Sequence, residues 1–331
     1  SRDWSSDVCS SDLNIHFIDG PFVEIIENGE NEYEVEFIDA VTNKVEYKLR
    51  LKSNCWAKSA KKYFVDWTIR IKGISCDFNH EHRLDLRNKK VLICYETKSL
   101  GDTLAFLPYI DEFRKKHNCE IVCSSFHNNL FEKSYPKIKF VAPGSVVENL
   151  HALYRLGMFY KTENNIREYA NDMHPNDPKP IPLMRMASDI LGLNWVELDP
   201  PKMKKLGKYK RKRVCIATHS TAQAKYWNNP NGWQEVTDYL IGEGYEVRLL
   251  SKEEDGYMGN KNPIGVVQQP PSSLEEILHV LQESELFIGI SSGLSWLAWA
   301  AGIKTIIISG FTDEKDRKST RLNSSHVKRS R

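Results

Sequence analysis

Apolar positions along this chain follow two periods in succession. Over residues 32–37 and 45–51 apolar and charged side chains alternate, the period of two expected of half-buried antiparallel strands, with turn residues at Asn28-Gly29 and Thr42-Asn43. Together with the run at 22–26 they predict a small β-rich domain over residues 14–88, with Trp56, Tyr63, Phe64 and Trp67 in its core or in a subunit contact. From residue 89 the pattern changes. Val91, Leu92, Ile93, Cys94 and Tyr95 form a continuous apolar run, suited to a parallel strand buried on both faces. After a loop, Leu104, Leu107, Ile110 and Phe113 recur at helical spacing. The same alternation predicts strands at 120–124 and 137–141 around a helix at 126–133. Residues 151–182 carry no clear period, 183–191 reads as helical, and Asp199-Pro200-Pro201 marks a hinge. Strands then follow at 214–218, 245–251, 264–267, 286–290 and 304–309. Helices are expected between them at 233–241, 273–282 and 294–301, the second opening on a capping box of Ser273 and Glu276. The expected architecture is α/β, with two Rossmann-like domains, 89–200 and 201–317, facing a cleft behind the small N-terminal domain.

Both ends depart from this pattern. Residues 1–13 and 318–331 are rich in Ser and Arg, lack a period and resemble translated adaptor sequence. They are set aside as non-native and the chain is expected to be C-terminally truncated, a pair of disordered tails being the alternative. Composition adds exclusions. A 331-residue chain with 40% hydrophobic and 27% charged residues is an ordinary globular protein, and a net charge of +2 gives no reason to invoke nucleic acid or an anionic membrane. The scattered cysteines predict reduced thiols and a cytoplasmic location; Cys119 and Cys123 share a strand face but lack the further ligands of a metal site. No run approaches the roughly 20 apolar residues of a membrane helix, and no apolar core follows a basic N-terminus as in a signal peptide. A Walker loop, a GxGxxG fingerprint and a His-Glu-x-x-His motif are all missing, which argues against P-loop kinases, typical dehydrogenases and zinc hydrolases.

The candidate chemistry lies at predicted strand ends, where open α/β sheets bind ligands. Asp102 follows the strand at 91–95 and opens a helix, so it is either a general base or a helix cap. Thr97, Ser99 and Gly101 share its loop as candidate substrate contacts. Ser291-Ser292-Gly293 opens another helix after the strand at 286–290, an anion seat or an ordinary serine-capped turn. Leu294 and Ser295 continue that turn, and Trp296 and Trp299 are expected to pack its helix. Lys225, after the strand at 214–218, is either a phosphate contact or a solvated lysine, and His219 is a polar site residue or a satisfied loop histidine. Glu253 stands where a carboxylate accepts from ribose hydroxyls, or in a solvated acidic turn.

Three stretches together carry a resemblance: Lys98-Ser99-Leu100-Gly101-Asp102, Lys225-Tyr226-Trp227, and the run from Gly289 through Ser291-Ser292-Gly293-Leu294-Ser295-Trp296 to Ala298. They resemble the heptosyltransferases of the GT-B fold and, among them, the bacterial autotransporter heptosyltransferases, over about residues 22–317. The resemblance implies inverting transfer of heptose from ADP-heptose to serine hydroxyls of an autotransporter passenger domain. By it, Asp102 is the base, Lys225 binds the diphosphate, and Ser292, Gly293, Leu294 and Ser295 hold phosphate oxygens. It implies no catalytic cofactor or metal, and a possible homo-oligomer. The family's cysteine-rich iron-binding segment lies beyond the second Rossmann unit and is not reached by Arg317, so iron is expected to be absent. Lipopolysaccharide heptosyltransferases usually carry Asp where this chain has Ser291. Rival readings are a lipopolysaccharide-type enzyme with a sugar acceptor and a non-catalytic scaffold.

Overall fold

The computed structural model describes residues 12–205 and 210–309. Its N-terminal runs form β1 (Asp12–Ile18), β2 (Phe22–Ile26), β3 (Glu32–Asp39), β4 (Lys44–Lys52), β5 (Trp56–Lys58), β6 (Trp67–Gly73) and β7 (Asn79–Arg83). They pair in two sheets. Strands β4, β3, β6 and β7 pair in that order as an antiparallel sheet, with Tyr33, Val35, Phe37, Trp67, Ile69 and Ile71 buried. Strands β1, β2 and β5 instead extend the adjoining Rossmann-like sheet, so the domain expected over 14–88 is divided between two sheets. Leu13, Ile15 and Phe17 alternate along β1, and Asp12 and Leu13, set aside with the N-terminus, pair opposite Ile26 and Ile25. Residues 1–11 and 310–331 lie outside the described residues. Of the four aromatics expected in a core or a subunit contact, Trp67 and Tyr63 are buried, Phe64 is partly buried, and Trp56 is exposed and stacked on Phe22.

The first strand and helix alternation folds as β8 (Lys90–Tyr95), α1 (Leu100–His117), β9 (Glu120–Ser124), β10 (Ile138–Val141) and β11 (Ala152–Leu156). The sheet order is β10-β9-β8-β11-β1-β2-β5, parallel as far as β1 and antiparallel beyond it. Strand β11 sits at its centre in the stretch without a readable period; it is short and buried on both faces, so no alternation shows. The helix expected at 126–133 is only a 3-10 turn at Asn128–Leu130, because Asn128 and Asn129 are weak helix formers and His127 supplies no cap. Next comes a hairpin, β12 (Tyr160–Glu163) and β13 (Ile166–Tyr169), turning through Asn164 and Asn165 at φ of 50° and 61°, the positive pair a type I′ turn requires. Helix α2 (Leu183–Ile190) follows.

The second alternation folds as β14 (Arg213–Ala217), α3 (Gly232–Gly242), β15 (Glu246–Leu249), β16 (Val267–Gln268), α4 (Leu274–Gln282), β17 (Leu286–Ile290), α5 (Gly293–Ala301) and β18 (Lys304–Ile308). All pair in parallel in the order β16-β15-β14-β17-β18. The strand expected at 264–267 shifts to β16, since Pro263 and Gly265, the latter at φ 90°, keep its start in a turn. The capping box at Ser273 and Glu276 is formed, at 2.7 and 3.2 Å. One apolar cluster runs from Leu104, Leu107 and Phe113 of α1 to Leu297, Ala298 and Trp299 of α5, so the two Rossmann-like units meet through these helices. Among the described residues the cysteines are free, and no helix is long and apolar enough to cross a membrane.

Candidate active site

Strand β8 ends at Tyr95, whose phenol donates to the Thr103 carbonyl at 3.1 Å and ties the strand to the first turn of α1. Burial raises the pKa of this phenol and keeps it a donor. In the loop between, Ser99 is the N-cap of α1, and its Oγ accepts from the Asp102 amide at 3.3 Å. The capping role open to Asp102 is thus taken by Ser99, and Asp102 stands in the first turn on the wall of a cleft. Thr97 does not line this cleft, and its Oγ1 accepts from the Ser99 amide at 3.0 Å, which braces the loop.

On the facing side, β17 runs into Ser291-Ser292-Gly293 and then α5. Ser295 is buried, and its hydroxyl accepts from the Ser292 amide at 3.2 Å and donates to the Ser292 carbonyl at 2.6 Å, which closes the turn. The Ser292 hydroxyl itself is buried without a partner. The two helix starts touch. A Cβ on Gly101 would stand 2.8 Å from Trp296 Cδ1, and one on Gly293 would stand 3.1 Å from Leu100 Cβ, so glycine is what allows this approach. Trp296, expected only to pack its helix, therefore lines the cleft, while Trp299 is buried and meets it edge-on at 5.4 Å.

Lys225 rides on a loop fixed at two points. The Tyr226 hydroxyl donates to the Ser220 carbonyl at 2.9 Å, and the Trp227 ring covers Gly232 and meets Trp233 edge-on at 5.4 Å. His219 is buried at the start of the same loop, with Nδ1 2.8 Å from Thr218 Oγ1 and 3.3 Å from Ser251 Oγ; its Nε2 has no partner. Glu253 accepts at Oε2 from the Ser251 hydroxyl at 3.0 Å and from the Lys252 amide at 3.2 Å.

The cleft encloses about 730 Å³, within the range of small-molecule sites, and gathers Ser99, Gly101, Asp102, His219, Lys225, Glu253, Ser291, Ser292, Gly293 and Leu294. Sequence reasoning missed much of its lining. Lys98, Lys179 and Lys252 join Lys225 to outnumber Asp102 and Glu253, making the cleft suited to an anion. Leu250, Pro270, Pro271, Leu274 and Ile277 form an apolar wall. The Pro-Pro pair after a strand end was a signal for it. Met158 and Tyr160 carried no such signal, because they follow the unreadable strand β11.

Tyr160 belongs to the hairpin at the cleft mouth, whose base is closed by Ala170 donating to the Phe159 carbonyl at 3.0 Å. The Phe159 amide in turn donates to His174 Nε2 at 3.0 Å. Burial, which disfavours the charged ring, lowers the pKa of His174 from the usual 6.5 to about 4 against the opposing pull of Asp177 and Asp172. The unfolded chain therefore takes up the proton first. The clamp's stability is intact above pH 6.5 and lost as pH falls toward about 4, by about 1–2 kcal/mol after discounting for solvent screening. His174→Gln keeps an acceptor but does not titrate. Its melting temperature is expected to fall less steeply with acid than that of the parent, and parallel curves would remove His174 from the account.

Two Rossmann-like units with a carboxylate on one wall of their cleft and helix amides with cations on the other define a GT-B glycosyltransferase. The profile of glycosyltransferase family 9 (heptosyltransferase) matches residues 191–329. The autotransporter heptosyltransferase Aah of Escherichia coli is 36% identical over 292 residues, covering 85% of this chain and 72% of Aah. The heptosyltransferase TibC of Escherichia coli H10407, described as dodecameric and iron-containing, is solved with ADP-D-beta-D-heptose. It superposes with a TM-score of 0.84 at 29% identity, over 100% of this chain and 85% of TibC. BimC of Burkholderia thailandensis, described as an inactive autotransporter heptosyltransferase, is 30% identical over 77% of this chain and 60% of its own length. The chain belongs to the autotransporter heptosyltransferase family. No group of three or more His, Cys, Asp or Glu side chains is placed to hold a metal among the described residues, so none is assigned to iron.

Proposed function

We propose that this chain transfers heptose from ADP-heptose to serine hydroxyls of an autotransporter adhesin, with inversion at the anomeric carbon. The observation that carries this reading is the arrangement of one cleft, with Asp102 on the α1 wall and Lys225, Ser292 and the α5 amides on the other. An attacking hydroxyl needs a base, and Asp102 is the carboxylate placed to take its proton. A departing nucleoside diphosphate needs positive charge and amide donors, which Lys225 and the first turn of α5 supply. Base and leaving group on facing walls suit a single displacement, hence inversion. The apolar wall of Leu250, Pro270, Pro271, Leu274 and Ile277 suits an adenine ring, and Glu253 a ribose hydroxyl. Met158 and Tyr160 lie on the acceptor side. Free cysteines support a reducing, cytoplasmic setting, and the dodecameric TibC supports a homo-oligomer.

The test is incubation of the purified protein with ADP-heptose and a passenger domain, followed by mass spectrometry of its peptides and NMR of the new linkage. Heptose on serine with inverted configuration is expected. Transfer to lipopolysaccharide core but not to the passenger domain would replace the acceptor assignment. The inactive relative BimC favours one further reading, a protein that binds the donor without transferring it; bound donor with no turnover would support that instead.

A further inference from the structure

Two buried polar atoms in the cleft lack a protein partner, His219 Nε2 and Ser292 Oγ. They follow neighbouring parallel strands, with Ala217 of β14 opposite Gly289 of β17. His219 is only 6% exposed, so an unmet nitrogen there is costly unless something from the cleft meets it. What it can meet depends on where the imidazole proton sits. An ionised Glu253 only accepts, so the Ser251 hydroxyl proton goes to Glu253 Oε2 at 3.0 Å and a lone pair of Ser251 Oγ is left for His219 Nδ1 at 3.3 Å. Thr218 Oγ1 lies 2.8 Å from the same nitrogen. Two hydroxyl oxygens, one with its proton committed elsewhere, favour a proton on Nδ1. The neutral ring then shows the cleft a bare lone pair, which repels a phosphate oxygen. The protonated ring shows it a charged donor.

The surroundings fit that second state. Tyr226 and Tyr257 stand edge-on to the ring at 5.8 and 6.1 Å. Charged and titratable groups sharing the cleft are Lys225 on the same loop, Lys252 and Glu253 after β15, and Lys98, Asp102, His127 and Lys179 from the first Rossmann-like unit, while the α5 turn brings serines and amides. Lys225 is a fixed charge, but His219 acquires one only with a proton.

We propose that His219 is a proton-coupled phosphate ligand: binding of a nucleoside diphosphate takes up a proton at Nε2, which then donates to a phosphate oxygen beside Ser292 Oγ, with Ser251 as the positioning residue that holds the other proton on Nδ1. This rests on the donor-site reading above. The one bond formed is Nε2–H, its proton taken from solvent, and that bond breaks again when the nucleotide leaves and the proton returns to solvent.

The experiment is calorimetric titration of ADP, and separately of adenosine, in buffers of different ionisation enthalpy, for the intact chain and for His219→Gln and Ser251→Ala. The intact chain is expected to take up a proton with ADP and to bind it more tightly as pH falls. His219→Gln should weaken ADP by about 10- to 100-fold at mildly acidic pH, leave adenosine unchanged and lose the uptake. The terminal phosphate's own ionisation, near pH ~6 for a phosphomonoester, contributes in every variant, so the difference isolates His219. Ser251→Ala should show a smaller uptake than the intact chain, and it decides the matter if His219→Gln melts before it can be titrated. Equal uptake in the intact chain and in a folded variant overturns the proposal and leaves the donor site standing. Failure of the intact chain to bind ADP removes both.

Discussion

Asp102→Asn is expected to lower the rate of heptose transfer by roughly two to four orders of magnitude while donor affinity stays nearly unchanged, the loss typical of removing a general base. An amide matches a carboxylate in shape and accepts a hydrogen bond, so the first turn of α1 should survive. It cannot take a proton from an incoming hydroxyl. The structure sharpens this test, because the helix is capped by Ser99 Oγ and not by the Asp102 side chain. Losing the cap should instead follow from Ser99→Ala, which removes the acceptor for the Asp102 amide and costs about 1 kcal/mol of stability. Single-turnover rates with saturating ADP-heptose and the melting temperature of both variants separate the roles. A folded Asp102→Asn protein that transfers at the parent rate would take the base assignment away from Asp102.

The two βα units were readable because their strands are buried on both faces and their helices carry apolar residues at helical spacing, as at 91–95 and in Leu104, Leu107, Ile110 and Phe113. Strand β11 was not readable, since a short buried run next to loops rich in Pro and Asn looks the same as an irregular stretch. The N-terminal β-rich region shows a different limit. Alternation identified its strands, but period alone does not say which sheet a strand joins, and β1 joined the Rossmann-like sheet through its parallel partner β11.

The site was legible in its first turns, because a ligand-facing helix start needs small and capping residues and these stand out in sequence. Which serine caps and which faces the ligand is another matter. That depends on rotamers, and it separated Ser292, whose hydroxyl has no partner, from Ser295, whose hydroxyl closes the turn. Trp296 reads as a helix-packing residue for a similar reason. Its contact with Gly101 joins residues almost 200 positions apart and leaves no local trace.

Lys225→Ala is expected to weaken ADP by about 10- to 100-fold while adenosine binds as before, since a charge-assisted bond to phosphate contributes roughly 1.5–3 kcal/mol. Lys225 reaches the cleft from a short turn pinned by Tyr226 on the Ser220 carbonyl and by Trp227 over Gly232. Truncating the lysine leaves both anchors in place, so the loop should keep its path and the loss should report charge alone. Trp227→Ala is the contrasting variant. It frees the loop, so both ADP binding and thermal stability should fall, the latter by about 1–3 kcal/mol because the ring is only partly buried. Raising the salt concentration should shrink the difference between the intact chain and Lys225→Ala, because a cleft open to solvent screens a lysine within the Debye length of about 8 Å at physiological ionic strength. Equal losses for ADP and adenosine in Lys225→Ala, at unchanged stability, would place the lysine against the base or ribose and move the diphosphate toward Ser292 and His219.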